Sequence, residues 1–253
     1  MSEITYIHVL KSLVLVLLAI GISRYWKIDT AKDMIVGTIR SFIQLIAIGY
    51  ALKYIFEPDY FLLNFIVIIV MILIASHTAS KRVKQMPKAF LICFTAIVTG
   101  ALVTLVSLIA INTDWFTARY IIPLGGMIIS NSMNACTLSI DRLVSDVKNN
   151  RLAIETSLSL GKTWNQASQR YQKEATTTGM ISILNFMKTV GLVALPGAMT
   201  GMILGGAEPL EAVLLQLVVA YMLLSAVTIT SIVVVQLTIR QFFTNYHQLI
   251  INE

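Results

Sequence analysis

The sequence predicts an all-α, polytopic membrane protein with about seven transmembrane helices. Apolar residues make up 57% of the 253-residue chain and charged residues only 13%, whereas about a quarter of the residues in a soluble domain are charged. The mean hydropathy is +0.78. Three uncharged runs, residues 60–80, 89–111 and 212–239, each have the roughly 20 residues that a helix needs to cross a bilayer. Lipid is therefore part of the solvent of this chain, which excludes a soluble globular domain.

Four weaker spans complete the count of seven. Two uncharged segments, 121–140 and 189–207, contain Gly and Pro, which membrane helices tolerate where their neighbours satisfy the backbone. Two others, 4–23 and 36–56, carry a few basic residues. Residues 12–21 also resemble the core of a signal peptide. The apolar pattern begins before them, which favours a retained first helix.

Lys and Arg cluster in alternate loops, at 24–32, 81–88 and 142–173. The positive-inside rule places these loops in the cytoplasm. The N-terminus is then predicted outside and the C-terminus inside, in the plasma or inner membrane of a cell. Arg240, directly after the last span, agrees with that orientation. The cytoplasmic loops thus account for the net charge of +6, and nucleic-acid binding is not expected.

The largest polar segment, at about 141–178, predicts a cytoplasmic helix-turn-helix within a single transmembrane domain, 1–253. Its apolar residues recur at helical spacing, so the helix of the fifth span should continue beyond the membrane. Gly161 should end that helix, and Thr-Trp-Asn-Gln at 163–166 has the form of a capping box that starts a second, short helix. Two interpretations stay open: a helix lying on the lipid headgroups, or a docking element for another protein.

A glutamate in this segment favours docking. Glu155 precedes Gly161 by six residues, a spacing similar to that of the EAA loop in the membrane subunits of bacterial ABC importers. A short helix fixed by a glycine turn is also a suitable element for a motor subunit to push. The candidate docking residues for an ATPase are Glu155, Leu158, Gly161, Thr163, Trp164 and Gln166.

Polar groups inside membrane spans are costly and are functional candidates by default. The candidates for a substrate path, which include sulfur-bearing residues, are Arg40, Gln44, Asn64, Met127, Asn131, Met133, Asn134 and Cys136. Amide oxygens and soft sulfur atoms together would bind a passing transition metal weakly. Other interpretations stay open, because Arg40 is also placed to snorkel to the surface. The methionines, like Cys93 and Cys136, are typical of ordinary core packing.

Two sets of Gly and Pro residues predict places where a span breaks or moves. They are Pro123, Gly125 and Gly126 in the fifth span, and Pro196 and Gly197 in the sixth. Broken membrane helices expose backbone carbonyl groups toward transported ions. These five residues are therefore the candidate hinges.

Enzymatic functions are not supported. The three histidines, His8, His77 and His247, are scattered, so no nucleophile with its base and no firm metal site is expected. The chain has no G-x-x-x-x-G-K-[ST] loop for nucleotide binding, and no bound cofactor is expected. The uncharged run 212–239 has no lysine for a retinal Schiff base, which removes the main support for a retinal protein with seven spans.

Over nearly its whole length the chain resembles the FetB-like family of iron-export ABC permeases, which includes plant proteins linked to aluminium tolerance. The stretches that carry the resemblance are 40–45, 49–56, 122–128, 131–133, 158–161, 166–168 and 188–199. Their agreement in order and spacing is more specific than any single motif.

The resemblance implies the membrane subunit of an ABC-type exporter for iron or another metal. It also implies a homodimer that works with two copies of a separate cytoplasmic ATPase, which binds the ATP. The alternative is a secondary transporter driven by an ion gradient. That alternative predicts carboxylates within the spans and an inverted repeat, and neither is visible in the sequence.

Overall fold

The computed structural model describes residues 6–56, 61–83, 86, 88–111, 117–244 and 246–250. These residues form α-helices joined by short turns, with one 3-10 turn at Arg240–Phe242 and no strand among them. The helices are α1 Tyr6–Tyr25, α2 Ala31–Phe56, α3 Phe61–Arg82, α4 Ala89–Ile111, α5 Ala118–Asn149, α6 Arg151–Ser159, α7 Trp164–Thr189, α8 Gly197–Leu204 and α9 Pro209–Ile239. The predicted all-α class is confirmed.

Six helices are long and apolar enough to cross a membrane within the described ranges, namely α1 to α5 and α9. The chain divides into two compact units, residues 1–59 and residues 60–253. The first unit contains α1 and α2, and the second contains α3 to α9.

The first unit is a helical hairpin. Its turn is fixed by the Ser23 hydroxyl, which donates to the Ile28 carbonyl at 3.1 Å and lies 3.0 Å from the Thr30 hydroxyl. Most apolar side chains of α1 and α2 are exposed within the unit, as expected of helices whose surroundings are apolar.

The second unit is built around α5 and α9, which pack against each other and against α4 and α7. Small residues permit close approach of the helices. At Gly100 of α4, a Cβ atom would overlap the Thr230 hydroxyl and would lie 3.0 Å from the carbonyl oxygen of Ala226, both on α9. Glycine at position 100 therefore sets the distance between α4 and α9.

The predicted span at 189–207 is not a single helix. α7 ends at Thr189, because Val190 adopts an extended conformation with φ −60° and ψ 131°. Gly191 follows with φ +82°, a left-handed conformation that favours glycine. α8 begins only after Pro196, whose ring disfavours a helical conformation at the preceding residue. Pro196 and Gly197 were expected where this span breaks or moves, and the helix is interrupted over the seven residues 190–196, directly before Gly197.

α7 is also longer than the short helix predicted after 163. It has 26 residues and runs without interruption past 178. The Trp164 ring at its start lies 6.0 Å from the ring of Phe243, just beyond the C-terminal end of α9. At the opposite end, residues 205–208 join α8 to the start of α9. α7 and α8 therefore run antiparallel to α9 as a broken pair, where the sequence analysis predicted one sixth span.

Candidate functional site

A cavity of about 270 Å³ lies at the break between α7 and α8. α5, α7, α9 and the beginning of α8 all contribute to it. Its lining residues are Met127, Asn131, Ser182, Ile183, Phe186, Pro196, Gly197, Ala198, Gln216, Val219 and Leu223. We call it the break cavity, because Pro196 and Gly197, where the break between α7 and α8 ends, are part of its lining.

Two amides give the break cavity its polar character. The Asn131 amide nitrogen donates to the Met127 carbonyl, one turn earlier in α5, at 2.8 Å. This bond fixes the orientation of the amide through its nitrogen, and the amide oxygen takes no part in it. On α9, Gln216 is only 6% exposed, and its Oε1 atom has no hydrogen-bond partner. A buried acceptor without a partner is unfavourable, so Gln216 is the most conspicuous polar group of the cavity.

Only some of these residues were predicted from the sequence. The structure brings together Met127 and Asn131 with the predicted hinge residues Pro196 and Gly197. Gln216 was missed, although an amide in the uncharged run 212–239 is itself a signal, because polar groups in membrane spans are costly.

The other path candidates lie elsewhere. Cys136 belongs to the hydrophobic core, where its thiol interacts with that of Cys93, and Met133 is partly buried against that core. Asn134 is exposed, and Asn64 of α3 is buried with 3% exposure. In the first unit, Arg40 and Gln44 lie one turn apart and line a shallow groove on α2.

The predicted hinge in the fifth span is not a break in the helix. α5 is continuous from Ala118 to Asn149 and includes Pro123 in its second turn. Gly125 and Gly126 instead lie close to α3: Cβ atoms there would lie 3.7 Å from Ile68 and 2.9 Å from the end of Met71. A hinge motion at these positions stays a prediction.

A second feature is the corner between α6 and α7, residues 151–166. Gly161 has φ +84° in the turn after α6. The Gln166 backbone N–H then donates to the Thr163 hydroxyl at 3.4 Å, and the Gln166 side chain accepts from the Thr163 backbone N–H at 3.1 Å. The predicted capping box is confirmed. We call this feature the α6–α7 corner.

The α6–α7 corner is anchored on one side and apolar on the other. Ile154 is fully buried, and Leu158 and Trp164 pack against the core. Leu152 and Leu160 are each 78% exposed. Among the predicted docking residues, Leu158 and Trp164 therefore have anchoring contacts, and Glu155 pairs with Arg151 at 2.8 Å. The exposed leucines are the apolar surface that sequence analysis did not single out.

Comparison with known proteins identifies the family. The model of the family described as "Uncharacterised protein family (UPF0014)" matches residues 6–243. The chain belongs to the UPF0014 family. It is thus a multi-pass membrane protein, as the six apolar helices require.

Relatives in UPF0014 cover almost the whole chain. The "Probable iron export permease protein FetB" of Escherichia coli is 38% identical over 96% of this chain and 93% of its own length. "Protein ALUMINUM SENSITIVE 3" of Arabidopsis thaliana is 38% identical over 94% of this chain and 87% of its own length. The "UPF0014 membrane protein YjkA" of Bacillus subtilis is 37% identical over 98% of this chain and 99% of its own length. No solved structure matches the chain significantly.

Proposed function

We propose that this UPF0014 chain is the membrane subunit of an ABC-type exporter for iron or another metal ion. A separate cytoplasmic ATPase would supply the energy, and two copies of the chain would pair with two ATPase copies. The names of the relatives support metal export, since one is a probable iron export permease and another is linked to aluminium sensitivity. The observation that carries the ATPase assignment is the exposed apolar surface on the anchored α6–α7 corner.

The corner has the rigidity that force transfer requires. The Arg142 guanidinium of α5 donates to Asp146 at 2.8 Å and to Glu174 of α7 at 3.0 Å. The capping box fixes the start of α7, and the Trp164 ring rests near Phe243. Ile154 of α6 is buried in the same core cluster as Leu143 of α5 and Ala175 of α7, so a push on α6 would be passed to two helices that line the break cavity.

The exposed surface has the composition of a contact site. Leu152 lies in the first turn of α6 and Leu160 directly after its last residue, and both side chains are exposed on a basic, polar segment. Exposed apolar groups rimmed by polar residues mark interaction surfaces. An ATPase groove that receives α6 would bury both side chains.

The docking proposal is tested by co-purification. The tagged chain is co-expressed with the candidate ABC ATPase of the same organism, and the leucines are replaced together, Leu152→Glu with Leu160→Glu. The ATPase should no longer co-purify, while the chain still inserts into the membrane. Gln169→Glu is the matched control, because it adds an acid at an exposed position of α7. Undiminished co-purification with the double variant would refute docking through α6.

Export is tested in cells loaded with iron. Cells that express the chain and the ATPase should lose iron faster than cells with an ATPase that cannot hydrolyse ATP. Efflux that depends on the membrane ion gradient and not on the ATPase would favour the secondary transporter. The break cavity offers such coupling little support, since it has no carboxylate among its lining residues in the described chain.

A further inference from the structure

The break cavity presents only neutral ligands. Within the described ranges, its lining includes two amides, one hydroxyl, one thioether and otherwise hydrocarbon, and no Asp, Glu, His or Cys. No group of three or more such residues elsewhere in the described chain has the geometry to hold a metal ion. A metal cargo would therefore meet few groups able to replace its own ligands.

We propose that the break cavity binds the metal as an intact complex, with water or other small ligands still attached to the ion. Recognition would be outer-sphere: the ligands of the ion donate hydrogen bonds to the amide oxygens of Asn131 and Gln216. This inference rests on the proposed metal export and specifies the form in which the cavity takes its cargo.

Coordination chemistry supports a metal ion that keeps its own bound ligands. Hard divalent cations take about six oxygen ligands or more, with carboxylates prominent among them. Softer ions select imidazole and thiolate. The Asn131 and Gln216 oxygens, the Ser182 hydroxyl and the Met127 sulfur fall short of either set. The two thiols of the chain interact with each other in the core and do not line the cavity.

Electrostatics points the same way. A bare multivalent ion in a site without an opposing charge loses its hydration and gains little in return. The Born cost of burial falls as the effective radius of the ion increases, so an ion that keeps its shell enters at a lower cost. Six waters at about 30 Å³ each occupy roughly 180 Å³, which is smaller than the cavity of about 270 Å³.

Two amide side chains of the lining could accept hydrogen bonds from such a guest. Gln216 lines the cavity, and its Oε1 atom is buried without a hydrogen-bond partner, so a turn of the amide toward the cavity would let a water or ammine on the ion satisfy it. The bond from the Asn131 nitrogen to the Met127 carbonyl fixes the amide plane and leaves its oxygen to accept. Metal-bound water is a strong donor, because the cation polarises its O–H bonds.

An exchange-inert complex tests this inference. Hexaamminecobalt(III) does not exchange its six ammonia ligands, so it binds only through outer-sphere contacts. The full chain in lipid nanodiscs is equilibrated with radioactive Fe²⁺ without oxygen, and hexaamminecobalt(III) is added as a competitor. We expect the complex to displace Fe²⁺. Gln216→Leu and, separately, Asn131→Leu should weaken the binding of both probes about ten-fold, whereas Gln169→Leu, at an exposed site on α7, should not.

The outcomes separate the inference from the proposed function. Saturable Fe²⁺ binding that hexaamminecobalt(III) does not reduce would overturn outer-sphere recognition and leave metal export standing. Equal binding in folded Gln216→Leu and Asn131→Leu variants, checked by their melting temperatures, would remove the metal from the break cavity. If no Fe²⁺ is retained at all, both the inference and the role in iron export are contradicted.

Discussion

Gly179 of α7 lies so close to Ser139 of α5 that a side-chain carbon at position 179 would overlap the serine hydroxyl. The same carbon would lie 2.7 Å from the Ser231 hydroxyl of α9 and 3.0 Å from the carbonyl oxygen of Ala135. Three helices thus meet at one glycine, which permits the backbone of α7 to approach α5 and α9. The position of the break cavity depends on this approach, because all three helices line it.

Replacing that glycine should loosen the three-helix contact. Gly179→Ala requires the backbone near Ala135 to shift, and an overpacked core costs about 1–3 kcal/mol. We expect a lower melting temperature of the purified protein, and a larger loss for Gly179→Val. Gly201→Ala in α8 is the control, since a Cβ there meets nothing within 4 Å. Equal melting temperatures for Gly179→Val and wild type would show that the helices are not in contact at this point.

The capping box should stabilise the start of α7. Thr163→Ala removes the hydroxyl that accepts from the Gln166 N–H, and the loss of such a cap typically costs about 1 kcal/mol. Faster amide hydrogen exchange at residues 164–168 is the expected result, measured by mass spectrometry. Thr177→Ala serves as the control, because the Thr177 hydroxyl only bonds back to the Lys173 carbonyl within α7. Unchanged exchange in Thr163→Ala would mean that the cap contributes nothing to the α6–α7 corner.

Glu174 should make stability depend on pH. Hydrogen bonds from Arg170 and Arg142 lower the pKa of the Glu174 carboxyl below its ordinary value of 4.5. A lowered folded-state pKa stabilises the folded protein above the unfolded-state pKa, and this contribution is lost as the pH falls through the folded-state pKa. The melting temperature of wild type should therefore exceed that of Glu174→Gln at neutral pH.

This difference should begin to shrink as the pH falls toward the ordinary pKa of 4.5 and should disappear once the pH is below the lowered folded-state pKa of Glu174. It should also shrink at high salt, because the exposed ion pairs are screened. Melting temperatures of the two proteins, measured between neutral and acidic pH at low and high salt, check both points. A difference that stays constant into strong acid would mean that the carboxylate charge is not its source.

The two cysteines should be linked by mild oxidation. Cys93 of α4 and Cys136 of α5 are both 0% exposed, and their thiols interact. Iodine, which enters membranes, would oxidise the pair to a disulfide and be reduced to iodide, with two protons released. Mass spectrometry of a digest should detect the linked peptides in wild type and not in Cys93→Ser. If the two thiols stay unlinked after treatment with excess iodine, the packing of α4 against α5 at these residues is contradicted.

The fold class followed from the sequence to a large extent. The uncharged runs at 60–80, 89–111 and 212–239 correspond to α3, α4 and α9, because hydrocarbon accepts almost no other kind of segment. The capping box at Thr163 was also readable, since a cap depends on residues close in sequence. The extent of the break in the predicted sixth span was not readable, because whether Gly and Pro kink a helix or interrupt it depends on its neighbours.

The site was predicted only in part. Met127, Asn131, Pro196 and Gly197 were expected as polar or hinge residues, and the fold places them around one cavity. Gln216 joins them from α9, although it is 85 residues from Asn131 in the sequence. Cys93 and Cys136 were expected as ordinary core residues and are buried, but the sequence did not predict that they meet between α4 and α5. Contacts between residues that are distant in the sequence produce no periodic pattern of apolar residues from which they could be predicted.

The sequence alone determined that this protein lives in a membrane as a helical bundle, since hydropathy and charge act residue by residue. Tertiary structure decided how far the chain is interrupted between α7 and α8, which amide side chains line one cavity and which leucines of the α6–α7 corner remain exposed. Those features depend on helix packing, in which the free energy of each group is set by partners distant in the chain.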